Sequence, residues 1–278
     1  MKKMPCRVMV VDDEEAILRL MESILKSHGY DVITAPGFEE ALAIIEQENI
    51  DLLISDIVMP DGSGLTLGEI AKNRFPNIRL ALLTGYHSES YAIKGIRVGA
   101  DYYLTKPFTR EDILDMIESL RETCPGYSKV DIVETRPGWY EFVMTSSENS
   151  LFKLQSFLDA LLKDVLDEER FWDLHFAISE LGRNAIEWGN KYDVDSIVKI
   201  SVGITNNGVA VKIEDQGDGF DVRKGMEKVE KNTLARLEEE RLNEGKRAGG
   251  LGIHLIKEIV DRLIFSERGD MVLIHFSL

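Results

Sequence analysis

The chain has 278 residues, 44% of them hydrophobic and 29% charged, and a formal net charge of −16. That balance fits two folded domains of ordinary size and excludes a disordered chain. The acidity is even, with 13 basic against 21 acidic side chains over residues 1–122 and 20 against 28 over the rest, so neither half carries the clustered Lys and Arg that nucleic-acid binding needs.

Val8-Met9-Val10-Val11 is a short apolar run ending at Asp12-Asp13, and helical spacing continues over 14–28. Strand-like segments at 30–34, 52–55, 78–83 and 102–104 then alternate with helix-like segments at 38–48, 65–74, 88–98 and 109–121. Five strands, each followed by a helix, imply a doubly wound α/β domain with a five-stranded parallel sheet covered on both faces. The ligand site of such a fold lies at the carboxyl ends of its strands. Asp12, Asp13, Asp56, Thr84 and Lys106 all fall there. Three crowded carboxylates repel one another, so the site calls for a divalent cation. Asp56 is then placed as a nucleophile for a phosphoryl group. Lys106 offsets charge on the phosphoryl oxygens, and the Thr84 hydroxyl donates to one of them.

Thr123-Cys124-Pro125-Gly126 breaks the last of these helices, since Pro and Gly stop it. Apolar alternation resumes at 130–133, and 139–144 reads as a strand. A helix capped near Ser147 runs to about 166, and a second covers 170–188. Strands at 197–204 and 209–215 flank Asn206-Asn207-Gly208, a strong hairpin turn. An apolar helix over 251–263 precedes strands at 263–266 and 271–276. The expected architecture is α+β, a two-layer sandwich with helices on one face of a mixed sheet. Residues 221–248 are mostly charged, and both a solvated surface helix and a mobile lid fit them.

Three pieces of this second half assemble an ATP pocket. Glu180 and Asn184 lie one turn apart on one helical face. Asn184 can offer a neutral oxygen to Mg²⁺, and Glu180 can polarise a hydroxyl near the last phosphate. Glu180 is equally placed to pair with Arg183. Asp215 can accept an adenine amino proton, while Gly217 and Gly219 let the base lie close to the backbone. Gly249, Gly250 and Gly252 open the helix that starts at Leu251, whose N-terminal amides favour phosphate.

These motifs carry two family resemblances. Val11-Asp12-Asp13-Glu14, Asp56-Ile57-Val58-Met59-Pro60-Asp61-Gly62, Leu83-Thr84-Gly85 and Lys106-Pro107-Phe108 resemble a response-regulator receiver domain. That resemblance implies direct Mg²⁺ ligation by Asp13, Asp56 and the Val58 carbonyl, with Asp12 acting through water. It also makes Tyr103 the switch aromatic and an upstream histidine kinase the phosphoryl donor. Glu180 to Asn190, Asp215 to Phe220 and Gly249 to Gly252 resemble the N, G1 and G2 boxes shared by gyrase, heat-shock chaperones, histidine kinases and anti-sigma-factor kinases. The compact length and the ending soon after the third box are most similar to the anti-sigma-factor kinase branch.

The resemblances imply a receiver at 1–122, a linker at 123–136 and an ATPase domain of the gyrase/histidine-kinase type at 137–278. They imply a Ser/Thr protein kinase output in a partner-switching pathway, with a sigma factor or an anti-sigma-factor antagonist as partner and a homodimer by analogy. The alternative is an ATP-dependent module that sequesters its partner without phosphorylating it. Two departures bear on that choice. Trp188 stands where the kinase branch commonly has His, and an indole carries no proton or charge there; the last strand also lacks a clear Thr. No His has the setting of a histidine-kinase phosphoacceptor. Cys6 and Cys124 form no disulfide framework. No apolar run approaches the roughly 18 residues of a membrane span, and the N-terminus lacks a signal-peptide pattern, so cytoplasmic location is expected.

Overall fold

A computed structural model describes residues 6–75, 77–85, 89–122, 129–219 and 251–278. Residues 1–128 and 156–161 belong to one compact unit, and residues 129–155 and 162–278 to another.

The first unit alternates β1 (Arg7–Val11), α1 (Glu15–Ser27), β2 (Asp31–Ala35), α2 (Phe38–Gln47) and β3 (Leu52–Asp56). It continues through β4 (Val58–Met59), β5 (Gly62–Ser63), α3 (Gly64–Arg74), β6 (Arg79–Thr84), α4 (Glu89–Val98), β7 (Tyr102–Thr105) and α5 (Arg110–Glu122). The five long strands form one parallel sheet in the order β2-β1-β3-β6-β7. Every residue of β3 is buried, as the central strand of a sheet covered on both faces must be. On one face Leu18, Met21 and Leu25 of α1 and Ile113, Met116 and Leu120 of α5 close over β1, β3 and β6. Truncating a fully buried side chain such as Leu25 to Ala would cost about 2–5 kcal/mol.

The small β4–β5 hairpin was not foreseen from the sequence. Pro60 and Asp61 make its turn, and two residues per strand give no periodic signal. Asp61 from that turn accepts the backbone N–H groups of Phe38 and Glu39 at 3.0 and 3.1 Å. It thereby caps the start of α2, which has no side-chain cap of its own, and these bonds hold its carboxyl below the usual range.

The second unit contains β8 (Val130–Arg136), β9 (Trp139–Thr145), most of α6 (Glu148–Leu162), α7 (Glu168–Asn184) and a π turn at Ala185–Gly189. After these come β10 (Ile197–Thr205), β11 (Gly208–Glu214), α8 (Leu251–Ile259), β12 (Arg262–Phe265) and β13 (Met271–Ser277). Its sheet runs β12-β13-β11-β10-β9-β8, and every neighbouring pair is antiparallel. The expected mixed sheet is therefore corrected. Three pairs are joined by short turns, and the two helices between β9 and β10 return the chain to the end where β9 stops, so that Ile197 pairs with Thr145. Alternate residues of β9, β11 and β13 are buried, the pattern of a sheet packed on one face. Leu174, Ile178 and Leu181 of α7 are buried at helical spacing, and α7 packs on β11, β13 and α8. Val130–Arg136, expected within a linker, pairs with β9 as the edge strand of this sheet. Its apolar signal is weak because only Val130 is buried.

The helix expected to end near 166 stops at Leu162, and the one expected to reach 263 stops at Ile259. Arg170 fixes the latter end, donating to the Ile259 carbonyl at 3.1 Å and pairing with Asp261 at 3.3 Å. Among the described residues no helix is long and apolar enough to cross a membrane.

Candidate functional site

The parallel sheet brings four chain segments to one edge. Asp12 follows β1, Asp56 and Thr84 are the last residues of β3 and β6, and Lys106 follows β7. Asp12 and Thr84 are fully buried, and Asp56 nearly so. Lys106 Nζ lies 2.7 Å from Asp56 Oδ2, 2.8 Å from Asp12 Oδ2 and 3.2 Å from Glu14 Oε1. The backbone N–H of Val58 donates to Asp56 Oδ1 at 3.2 Å, and that of Glu14 to Asp12 Oδ1 at 2.9 Å. The strand ends are tied together as well: Ile57 N donates to the Leu83 carbonyl at 2.9 Å and Lys106 N to the Thr84 carbonyl at 2.6 Å.

Burial pushes the Asp12 carboxyl up, and the bond from Lys106 only partly offsets it. For Lys106, burial acts against the charge but the bonds to Asp12 and Asp56 outweigh it, so the ammonium is held above its ordinary value. The site therefore keeps its cation. Asp12, Asp13 and Asp56 can each direct one oxygen into a cluster whose atoms lie within 4.8 Å of one another. An all-oxygen donor set with exposed Asp13 on the solvent side fits a hard divalent cation such as Mg²⁺. Val58 is also exposed. Tyr103 is buried, which pushes its hydroxyl up, and the Thr84 side chain eases that shift.

Two contributors at this edge were not assigned by sequence reasoning. Glu14 is a third carboxylate on Lys106; the Asp-Asp-Glu run held the signal. Gly64 lies so close to the acceptor strand that a Cβ there would stand 1.9 Å from the Asp56 carbonyl oxygen and 2.7 Å from Ser55 Oγ.

In the second unit Glu180 and Asn184 lie on the last turns of α7, both half-buried. Glu180 Oε1 accepts from Arg183 Nη1 at 2.8 Å, and Arg183 Nη2 reaches Ser179 Oγ at 3.3 Å. The Arg183 pairing left open by the sequence is thus present. The other Glu180 oxygen faces the first turn of α8, where a Cβ at Gly252 would stand 2.6 Å from Oε2. The N box and the G2 box are therefore adjacent through Glu180.

Asp215 follows β11. Its N–H donates to the Asp270 carbonyl at 3.0 Å and its Oδ1 accepts from Gly217 N at 2.9 Å. Burial, assisted by Asp270, pushes its carboxyl up despite the Gly217 bond. A Cβ at Gly189 would stand 2.3 Å from the Asp215 side chain, and one at Gly217 would stand 2.1 Å from the Gly189 carbonyl oxygen. The end of the N box and the start of the G1 box thus touch backbone to backbone, an approach that glycine at both positions permits. Gly219, with φ +77°, lies against the Arg268 carbonyl. Trp188 is 43% exposed. Gly249, Gly250 and the segment read as a lid lie outside the described residues. The close backbone approach, the half-buried carboxylate acceptor and the Asn184 amide fit a Mg²⁺–adenine nucleotide.

Comparison with known proteins agrees with this division. A family model described as response regulator receiver domain matches residues 8–118, and one described as histidine kinase-like ATPase domain matches residues 144–276. The protein PilG of Pseudomonas aeruginosa is 36% identical over 129 residues, covering 46% of this chain and 93% of that protein. The alkaline phosphatase synthesis transcriptional regulatory protein PhoP of Bacillus subtilis is 34% identical over 114 residues, 41% of this chain and 48% of that protein. The chain spans about half the length of PhoP and of several other curated relatives it matches. A receiver domain crystal structure from Methanospirillum hungatei is 38% identical over 42% of this chain and 95% of that one, with a TM-score of 0.41. Receiver domains of this kind accept phosphoryl groups from histidine kinases, and the two domain types generally use Mg²⁺ and ATP. The chain belongs to the response-regulator receiver family and carries, behind its receiver, a histidine kinase-like ATPase domain.

Proposed function

We propose that phosphorylation of Asp56 by an upstream histidine kinase controls an ATP-binding output of the anti-sigma-factor kinase type. The observation that carries the reading is one chain holding both the Asp12–Asp56–Lys106 cluster and the Gly189–Asp215–Gly217 contact. In the receiver, an Asp56 oxygen attacks the phosphorus of a phosphohistidine; the P–N bond breaks as the P–O bond forms. Asp13, Asp56 and the Val58 carbonyl would hold Mg²⁺, with Asp12 acting through water. That metal supplies positive charge against the phosphoryl oxygens. Lys106 shifts its ammonium to the same oxygens, and the Thr84 hydroxyl donates to one of them. The Thr84 movement and the Tyr103 ring bias the face formed by α4 and α5.

In the output domain Asp215 accepts the adenine amino proton, and Gly217 and Gly219 admit the base. Gly249, Gly250 and Gly252 receive the phosphates at the start of α8. Asn184 would hold the nucleotide's Mg²⁺, and Glu180 would orient the Ser or Thr hydroxyl of an antagonist protein and take its proton as the hydroxyl oxygen bonds to the γ-phosphorus and the bond to ADP breaks. A sigma factor or such an antagonist is the partner, and homodimerisation follows by analogy.

A second reading, sequestration without phosphorylation, is favoured by the Arg183 pairing of Glu180 and by Trp188 in place of a histidine. Transfer of labelled γ-phosphate to a Ser-bearing antagonist decides between them. Transfer lost in Glu180→Gln supports the kinase; ATP-dependent complex formation without transfer supports sequestration.

A further inference from the structure

The join between the N box and the G1 box is held by Asn190, the last residue of the N box, which the ATP-binding reading leaves without a role. After Asn184 the helix passes into the π turn at Ala185–Gly189, closed by Asn190 N donating to the Ala185 carbonyl at 2.8 Å. A π turn inserts one residue, which rotates the chain beyond it by about 100° relative to an α-helix. That rotation brings Gly189 against the Asp215 side chain.

The arrangement is bolted by side chains. Asn190 is 5% exposed. Its Nδ2 donates to the Ile197 carbonyl at 2.9 Å, and its Oδ1 accepts from Gln216 N at 2.8 Å. A carbonyl only accepts and a backbone N–H only donates, so the orientation of this amide is fixed. Gln216 reciprocates: its Oε1 accepts from Ile197 N at 2.8 Å. Both backbone groups of Ile197 are thus taken by side chains, one from the end of the N box and one from the residue after Asp215. Lys191 and Tyr192 come next in the chain with φ of 55° and 59°, a left-handed pair that persists only where its surroundings hold it.

We infer that Asn190 is a positioning residue that sets base selectivity, clamping Gln216 and the π turn so that Asp215 meets the exocyclic amino group of adenine. The inference rests on the ATP-binding reading above. Without the Asn190 amide, Gln216 N and the Ile197 carbonyl lose their partner. The π turn can then relax toward α-helix, which withdraws Gly189 from Asp215. The metal-holding Asn184 precedes the π turn and keeps its place.

ATP and ITP distinguish this role from general structural support, because ITP carries a carbonyl where ATP carries the amino group. Affinities of the full chain for both nucleotides are measured with Mg²⁺. The wild type is expected to prefer ATP, and Asn190→Ala to lose about tenfold in ATP affinity, the worth of one hydrogen bond to a charged acceptor. ITP affinity should stay within about twofold, since that contact was never made. Retained ITP binding and a wild-type near-ultraviolet circular-dichroism signal from Trp139, Trp172 and Trp188 serve as the folding control, since all three tryptophans lie in the nucleotide domain; if Asn190→Ala does not fold, Gln216→Ala removes the reciprocal bond and is read the same way. An unchanged ATP-to-ITP ratio, or equal weakening of both nucleotides, overturns the role of Asn190. A wild type that binds neither nucleotide, or both equally, overturns the adenine-recognition reading itself.

Discussion

The two sites are built to different degrees before any ligand arrives. At the receiver edge, opposite charges already meet: Lys106 Nζ sits within 3.2 Å of three carboxylates drawn from two segments remote in sequence. In the nucleotide domain the backbone is brought together tightly, yet Asp215 carries a carboxyl pushed up by burial and Glu180 is paired with its own helix neighbour Arg183. The first site sets one ammonium against three carboxylates, an excess of negative charge that a divalent cation would offset. The second brings its backbones into contact while Asp215 and Glu180 are held by near neighbours in sequence, Gly217 and Arg183. A phosphoryl-accepting site needs fixed electrostatics, whereas a nucleotide site can draw on the ligand's own binding energy.

The comparison breaks most visibly at Asp56. Asp56→Ala is expected to abolish acetyl-phosphate labelling completely while leaving ATP-analogue binding in place; labelling equal to wild type would refute the acceptor assignment. Next in size, Lys106→Met leaves buried Asp12 and Asp56 facing each other and should cost about 3 kcal/mol at neutral pH in chelator. Urea unfolding would read this, and added Mg²⁺ should restore most of the loss. No loss would mean that the ion pairs contribute nothing to the receiver.

Legibility in the sequence divides along the same line. A parallel sheet puts its ligand site at strand ends, so Asp12, Asp56, Thr84 and Lys106 could be placed by finding where apolar runs stop. Glu14 escaped assignment because it stands three residues beyond the end of β1, just before α1, where placing groups at strand ends does not reach it. The Glu180–Asn184 pair was readable from helical spacing. The π turn was not, since one inserted residue leaves no mark on an amphipathic pattern. Asn190 and Gln216 were invisible for a related reason: each acts through backbone groups, which carry no residue signature. The strand Val130–Arg136 was only partly seen, because an edge strand buries little and shows little alternation.

Smaller effects sharpen the second site. Gly217→Ala places a Cβ against the Gly189 carbonyl oxygen, which is backbone and cannot swing away. ATP affinity should fall by about tenfold or more, comparable to losing a charged hydrogen bond, with acetyl-phosphate labelling of the receiver unchanged; intact binding would mean the two boxes are not held this closely. The mildest expectation concerns pH. Asp215 is held above the ordinary carboxylate range of about 4, mainly by burial with Asp270 assisting. A raised carboxyl favours the protonated native state, so without ligand its stability contribution is present at low pH and lost as pH rises through the folded value. Adenine needs the ionised form, so ATP affinity should decline as pH falls through that raised value, and Asp215→Asn should flatten the profile. A wild-type profile that stays flat there would remove Asp215 from base recognition.

Titration calorimetry of the purified chain with ATP in excess Mg²⁺ addresses the nucleotide-binding output directly. Saturable one-site binding that disappears in Asn184→Ala is the expected result. A wild-type chain that releases no binding heat and shows no saturation with a fluorescent ATP analogue would contradict it, leaving a receiver joined to a domain that does not use nucleotide.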